Sequence, residues 1–196
     1  MSRFEMMVGA ILTQNTAWAN VEKAISNLKS ARLLSPGAMA KLGRKRLAKF
    51  IRPAGYYNIK TKRLKNFIFF LFSEYGLNLD KMRGEPTAVL RKKLLGVNGV
   101  GPETCDSILL YAFDRPVFVI DAYTKRIISR HGILGQSSPY EDFQGLFMDN
   151  LAHDSAIFNE YHALIVKLAK DFCRTKPCCD GCPLDDSKNY LANNIS

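Results

Sequence analysis

The 196 residues carry 28 Lys and Arg against 18 Asp and Glu, a formal net charge of +10, with 47% hydrophobic and 23% charged residues. A chain of this length and ordinary globular composition can bury a sizeable core, as one large domain or two small lobes. It has no run of 18 or more uncharged apolar residues, which excludes a membrane span, and its positive charge favours polyanionic partners.

Almost every segment reads as helix. The start, MSRFEMMVGAILTQ, has an apolar run but no A-x-A-like cleavage site, so it reads as a first helix rather than a signal peptide. Val21, Ala24, Ile25 and Leu28 fall at i, i+3, i+4 and i+7 and give one apolar face. Leu64, Phe67, Ile68 and Leu71 repeat that spacing, and Phe69, Phe70 and Phe72 fill the other faces, so this helix is expected to be central. Cys105, Ile108, Leu109 and Ala112 make a helix behind a glycine turn; Phe158, Tyr161, Ile165 and Leu168 make a late one. Turn signals separate these segments: SPG at 35–37, PAG at 53–55, GEP at 84–86 and SSP at 137–139. Strand alternation is absent, and PVFVID at 116–121 passes equally for a short strand or a helix lead-in. The fold class is all-α, with a boundary near 114–116 dividing residues 1–115 from 116–196.

Charge is unevenly spread. Between Arg44 and Asn66 stand nine basic residues and no acid, with Tyr56 and Tyr57 in the middle. Such a patch is either a solvated surface or a duplex-binding face, since phosphate contacts supply most non-specific nucleic-acid affinity. A second phosphate-suited element follows in LLGVNGVGPETC. Its glycines (Gly96, Gly99, Gly101) allow positive φ and close approach, and a helix starting behind them presents unpaired N–H groups. The apolar run after that helix ends on Asp121, which is either an N-cap for AYTKRII or an acid poised for chemistry. Of five cysteines, Cys173, Cys178, Cys179 and Cys182 lie within ten residues in CRTKPCCDGC, which suits metal ligation better than disulfides. His131, His153 and His162 are scattered, and no spacing links them to a site.

VNGVGPETCDSILLYAF resembles the helix–hairpin–helix of the endonuclease III superfamily of DNA glycosylases, with the hairpin at about 94–113. VID resembles the segment bearing that superfamily's catalytic aspartate, and AILTQNT, GYYNIKTKRLKN and the cysteine-rich end follow the family's order. The resemblance implies two helical lobes that bind damaged double-stranded DNA across a cleft and flip the target base, as a monomer in the cytoplasm on the nucleoid. Asp121 takes the catalytic place, where a carboxylate stabilises oxocarbenium-like charge and orients the nucleophile. Gly99, Gly101, Lys60 and Lys62 would contact DNA, and Gln14 would fill the space left by the flipped nucleotide. Trp18 would either stack on a flipped, cationic base or sit in the core.

Bifunctional members carry a Schiff-base lysine two residues after the second hairpin glycine; here that position is Glu103. A carboxylate forms no imine, so a monofunctional enzyme is expected, most like the 3-methyladenine (alkylbase) branch, where this glutamate belongs to the pocket. Glu103 also simply suits a helix first turn through the macrodipole. The other readings are an endonuclease III-like glycosylase with abasic-site lyase activity on oxidised pyrimidines, and a non-catalytic DNA-damage binding protein. The cysteine-rich end resembles the family's [4Fe–4S] loop. Cys173, Cys179 and Cys182 fit three positions, the fourth falls on Lys188, and Cys178, Asp185 or Asp186 stand as substitutes; zinc or no metal are the alternatives. The family usually has a helical segment ahead of AILTQNT, and almost nothing precedes Phe4. Either the sequence begins late or this member packs its second lobe without that piece.

Overall fold

The computed structural model describes residues 1–185. Asp186 and Lys188, two of the residues weighed for the metal site, lie outside them. Eleven α-helices and two short irregular turns of helix make up the described chain, with no strand among the described residues, so the fold is all-α. No helix among them is long and apolar enough to cross a membrane. The chain divides into two compact units, Met1–Arg115 and one that begins at Pro116.

In the first unit, α1 (Arg3–Leu12) is capped by the Ser2 hydroxyl, which accepts from the Glu5 N–H. It buries Phe4, Met7, Val8, Ile11 and Leu12. Helix α2 (Trp18–Ser30) buries Val21, Ala24, Ile25 and Leu28, the face its spacing predicts. Short helices α3 (Pro36–Lys41) and α4 (Arg44–Phe50) follow, α3 starting on Ser35 as N-cap with Pro36 at its first position. A 3-10 turn (Arg52–Ala54) leads into the long α5 (Tyr57–Tyr75), which Gly76 ends in the left-handed conformation. Helices α6 (Leu79–Arg83) and α7 (Thr87–Leu95) bring the chain to the glycine turn, and α8 (Pro102–Ser107) runs on into a π-helical stretch, Ile108–Ala112.

Helix α5 is not apolar all round in its packing. Leu64, Phe67, Ile68 and Leu71 are buried, yet Phe69 is 69% and Phe72 61% exposed. Composition alone made it central; as a surface helix it needs only one buried face, and the two phenylalanines fall on the other.

In the second unit, α9 (Ala122–Arg130), α10 (Tyr140–Met148) and α11 (Ser155–Asp171) enclose the apolar run 117–120. That run is buried and belongs to neither a helix nor a strand. Its backbone groups are satisfied by side chains instead: Gln144 Nε2 donates to the Phe118 carbonyl at 2.6 Å, and the Ile120 N–H donates to the Tyr140 hydroxyl at 3.2 Å. The Phe118 ring stacks on Phe147 at 4.0 Å and meets Phe158 edge-on at 5.4 Å. These contacts fix the approach to Asp121 in place.

Candidate active site

The first unit builds a platform around the glycine turn. Gly99 has φ +99, open to glycine at little cost, and a Cβ there would lie 2.3 Å from Arg63 Cγ. Arg63 therefore lies against the turn, and its guanidinium donates to Gln14 Oε1. The Gln14 amide nitrogen donates in turn to the Gly99 carbonyl at 3.0 Å and the Thr104 hydroxyl at 2.8 Å. Asn66 Nδ2 donates to the Asn98 carbonyl at 3.0 Å. Gln14, just past the end of α1, and Arg63 and Asn66 of α5 thus hold the turn.

Gly101 is different. It is exposed, its φ is an ordinary −93, and nothing lies within 4 Å of where a Cβ would stand. Neither conformation nor internal packing requires a glycine there. What a missing side chain does provide is room for a partner to reach the first N–H groups of α8. Glu103 lies exposed in that helix's first turn. Behind the platform, Arg91 of α7 makes a two-pronged ion pair with the fully buried Asp106 of α8, at 2.8 and 3.1 Å, which sets the two hairpin helices against each other.

The basic run has two fates. Arg44, Lys45, Arg46, Lys49, Arg52 and Lys62 are exposed. Lys60, expected to contact DNA, does not face solvent: it is 1% exposed, and its ammonium donates to the Leu12 and Ala54 carbonyls, each at 2.7 Å, and to the Thr16 hydroxyl. Burial, helped by the nearby Arg63 charge, pushes its pKa down to about 8. It ties the end of α1, the 3-10 turn and α5 together, and the periodicity of a charged run gave no sign of that.

Trp18 opens α2 and is 41% exposed. Its six-membered ring rests on Gly9, 3.5 Å from where a Cβ would be, and its Nε1 donates to Glu22 at 2.8 Å. It is neither core nor fully free; part of the indole stays open to a partner.

In the second unit the structure gives Asp121 the first of the two roles its sequence position suggested. It is the N-cap of α9: Oδ1 accepts from the Thr124 N–H at 2.7 Å and the Thr124 hydroxyl at 2.9 Å. Its other oxygen, Oδ2, lies 3.6 Å from His162 Nε2 on α11, and each side chain keeps about a seventh of its surface exposed (14% and 13%). Burial pushes the carboxyl pKa up, but the His162 imidazole and the two Thr124 donors outweigh it and hold the group below its usual value. An ionised carboxylate with one oxygen committed to the cap and one left over is what charge stabilisation at a sugar requires.

A model of the HhH-GPD superfamily, base excision DNA repair proteins, matches residues 8–153, which span the hairpin platform and Asp121. The chain belongs to that superfamily. A protein of Methanocaldococcus jannaschii named as a DNA repair glycosylase is 50% identical over 94% of this chain and 84% of its own length. Endonuclease III of Sulfolobus acidocaldarius is 30% identical over 98% of this chain and 84% of its own. Among solved structures, the H. pylori 3-methyladenine DNA glycosylase MagIII bound to 1,N6-ethenoadenine superposes with a TM-score of 0.72 at 26% identity, covering 85% of this chain and 84% of that one. The chain is therefore a glycosylase of the HhH-GPD superfamily.

Two features of this HhH-GPD chain have no clear signal in its sequence. His162 is one of three histidines without a pattern, and only the packing of α11 on α9 brings it to Asp121. Asn15, next to Gln14, is exposed with φ 52 at the turn between α1 and α2; its one legible signal is an Asn in a short loop, a residue that tolerates the left-handed region.

Cys173, Cys178, Cys179 and Cys182 line one cavity of about 230 Å³, with His131 and Asp185. Among the described residues, no three His, Cys, Asp or Glu converge as the ligands of a single ion do. Arg130 anchors the loop, donating to the Arg174 carbonyl at 2.5 Å, the Thr175 carbonyl at 2.9 Å and Cys173 Sγ at 3.3 Å. Cys105 is not part of this group; it is buried in α8, and burial first, then the Asp106 charge, push its thiol up to about 12.

Proposed function

We propose that the chain is a monofunctional DNA glycosylase that hydrolyses the bond between deoxyribose and a damaged purine, alkylated bases foremost. The observation that carries this reading is Asp121, a partly buried carboxylate held ionised with Oδ2 uncommitted to the helix cap. As the N-glycosidic bond breaks, its electron pair leaves with the base, and a cationic alkylpurine departs neutral without needing a proton. The water oxygen bonds to C1′, and its proton passes to Asp121 Oδ2.

Lysine placement supports hydrolysis over imine formation. The hairpin position is Glu103, the Lys60 ammonium is used by three oxygens, and Lys125 Nζ lies 5.0 Å from the centre of the Phe143 ring. The MagIII likeness, whose bound ligand is a modified adenine, favours the same substrate class. Trp18 offers a half-exposed aromatic face for such a base. Phosphates would be held by Gly101, the first N–H groups of α8 and cations such as Lys62. For Gln14 to enter a duplex, its amide would have to leave Gly99 and Thr104; Asn15, exposed beside it, fills a vacated base position without that loss.

The test is to incubate the protein with methylated DNA and with oxidised-pyrimidine DNA and identify released bases and strand breaks. Methylpurine release without strand breaks, abolished in Asp121→Asn while DNA binding survives, is the expected result. The endonuclease III relative favours a second reading, with lyase activity; a robust borohydride-trapped adduct on abasic-site DNA would establish it and overturn the first.

The cysteine loop fits an iron–sulfur cluster better than a single ion. Its donors are cysteine sulfurs, and they border a cavity rather than converge on a point. Cys173, Cys179 and Cys182 would hold the cluster, with Cys178 as the described cysteine available in the fourth place. The cluster would supply structural bracing of the loop. Iron and labile sulfide in the purified protein, lost in Cys173→Ser, are expected; a colourless protein without either, prepared anaerobically, counts against it.

A further inference from the structure

The two oxygens of Asp121 face different groups. Oδ1 is taken by the backbone and hydroxyl of Thr124, so the cap of α9 fixes the carboxylate plane. Oδ2, the oxygen the proposed chemistry uses, meets His162 at 3.6 Å, an ion-pair distance slightly longer than a hydrogen bond. His162 is itself held, its ring edge-on to Phe118 at 6.5 Å on the run that leads to Asp121.

Several other charges on the packed helices have partners of their own, and Lys170 and Glu160 of α11 and Glu141 and Asp142 of α10 are exposed. On α9, Lys125 lies over Phe143, and Arg126 donates to the Ala169 carbonyl at 3.2 Å and covers the Tyr123 ring. On α11, Lys167 pairs with Asp171 at 2.8 Å; ahead of that helix, His153 bonds the Met148 carbonyl, also at 2.8 Å. Among the described residues, His162 is the cation-capable group recorded at ion-pair distance from the carboxylate.

We propose that His162 is a positioning residue for base release, orienting Asp121 Oδ2 and keeping the carboxylate charged through its imidazole. The proposal rests on the glycosylase reading for its catalytic half and on geometry alone for the pairing. An acid set in an apolar wall without such a partner would drift toward its neutral form, which neither stabilises a cationic sugar nor accepts a proton. A site that gains its charge from a neighbour on another helix also couples base release to the packing of α9 on α11.

The test uses the full chain and the variants His162→Gln, close in size but without charge, and His162→Ala. The Asp121 carboxyl is followed by carbon NMR against pH, its signal assigned by its loss in Asp121→Asn. In both variants its midpoint is expected to rise, and base release from methylated DNA at neutral pH to fall about tenfold. The acid limb of the rate profile moves up with the midpoint, and DNA binding stays unchanged. A residue that only fills space would leave the midpoint in place in His162→Gln, and that result overturns the proposal. A moved midpoint with an unchanged rate overturns it equally. If the parent protein releases no base from any substrate, the glycosylase reading fails, while the NMR midpoint still decides whether His162 governs Asp121.

Discussion

Gly99 and Gly101 stand two residues apart and do different work. Gly99→Ala would strain a positive φ and drive a Cβ into Arg63, so a thermal melt should show a loss of about 2 kcal/mol. Gly101→Ala meets open space; its melt should match the parent within about 0.5 kcal/mol, and its DNA affinity should drop. Equal DNA affinity in that variant would remove Gly101 from the phosphate site. Lys60 gives a sign that can be checked by pH. Its folded value is about 8 against an ordinary 10.5, so between those values the unfolded chain binds the proton more strongly. Stability should then rise with pH across that window. Lys60→Met should flatten the rise, measured by denaturant unfolding at several pH values.

Helices α7 and α8 hold the hairpin through Arg91 and Asp106, and the acid has no solvent to fall back on. Asp106→Ala removes two charged hydrogen bonds from the Arg91 guanidinium and is expected to cost about 3 kcal/mol in chemical denaturation. Helix α5 predicts the opposite. Phe69 and Phe72 are exposed, so replacing both with Ser should leave the unfolding free energy within about 0.5 kcal/mol of the parent. A large loss would mean that this face is covered. The run 117–120 is a strand by composition and not by pairing. Its hydrogen bonds go to Gln144 and Tyr140 of α10, partners that no local pattern announces.

Across the whole chain, the net charge of +10 predicts DNA binding that weakens steeply with salt. Every phosphate that a cation neutralises adds about 0.9 to the steepness of log K against log salt. Lys62→Ala should cost affinity evenly across sequences and reduce that steepness by about 1; Lys60→Met, its cation buried, should leave the slope alone. An unchanged slope for Lys62→Ala would place the DNA path elsewhere on the basic surface.

Helix content, the glycine turn and the cap at Asp121 were legible in the amino-acid sequence because each depends on neighbours a few residues away, whereas the meaning of Glu103 came from the family resemblance. Apolar spacing sets a helix face, glycine sets a turn, and an acid before AYTKRII sets a cap. Lys60, His162 and the two exposed phenylalanines of α5 were not legible. Whether a lysine meets water or three buried oxygens, or a histidine meets a carboxylate 41 positions away, depends on which helices pack together. Tertiary structure alone decided that Oδ2 of Asp121, the oxygen the local cap leaves over, meets His162, because burial, which shifts a charge, is a property of the packed chain and not of its order.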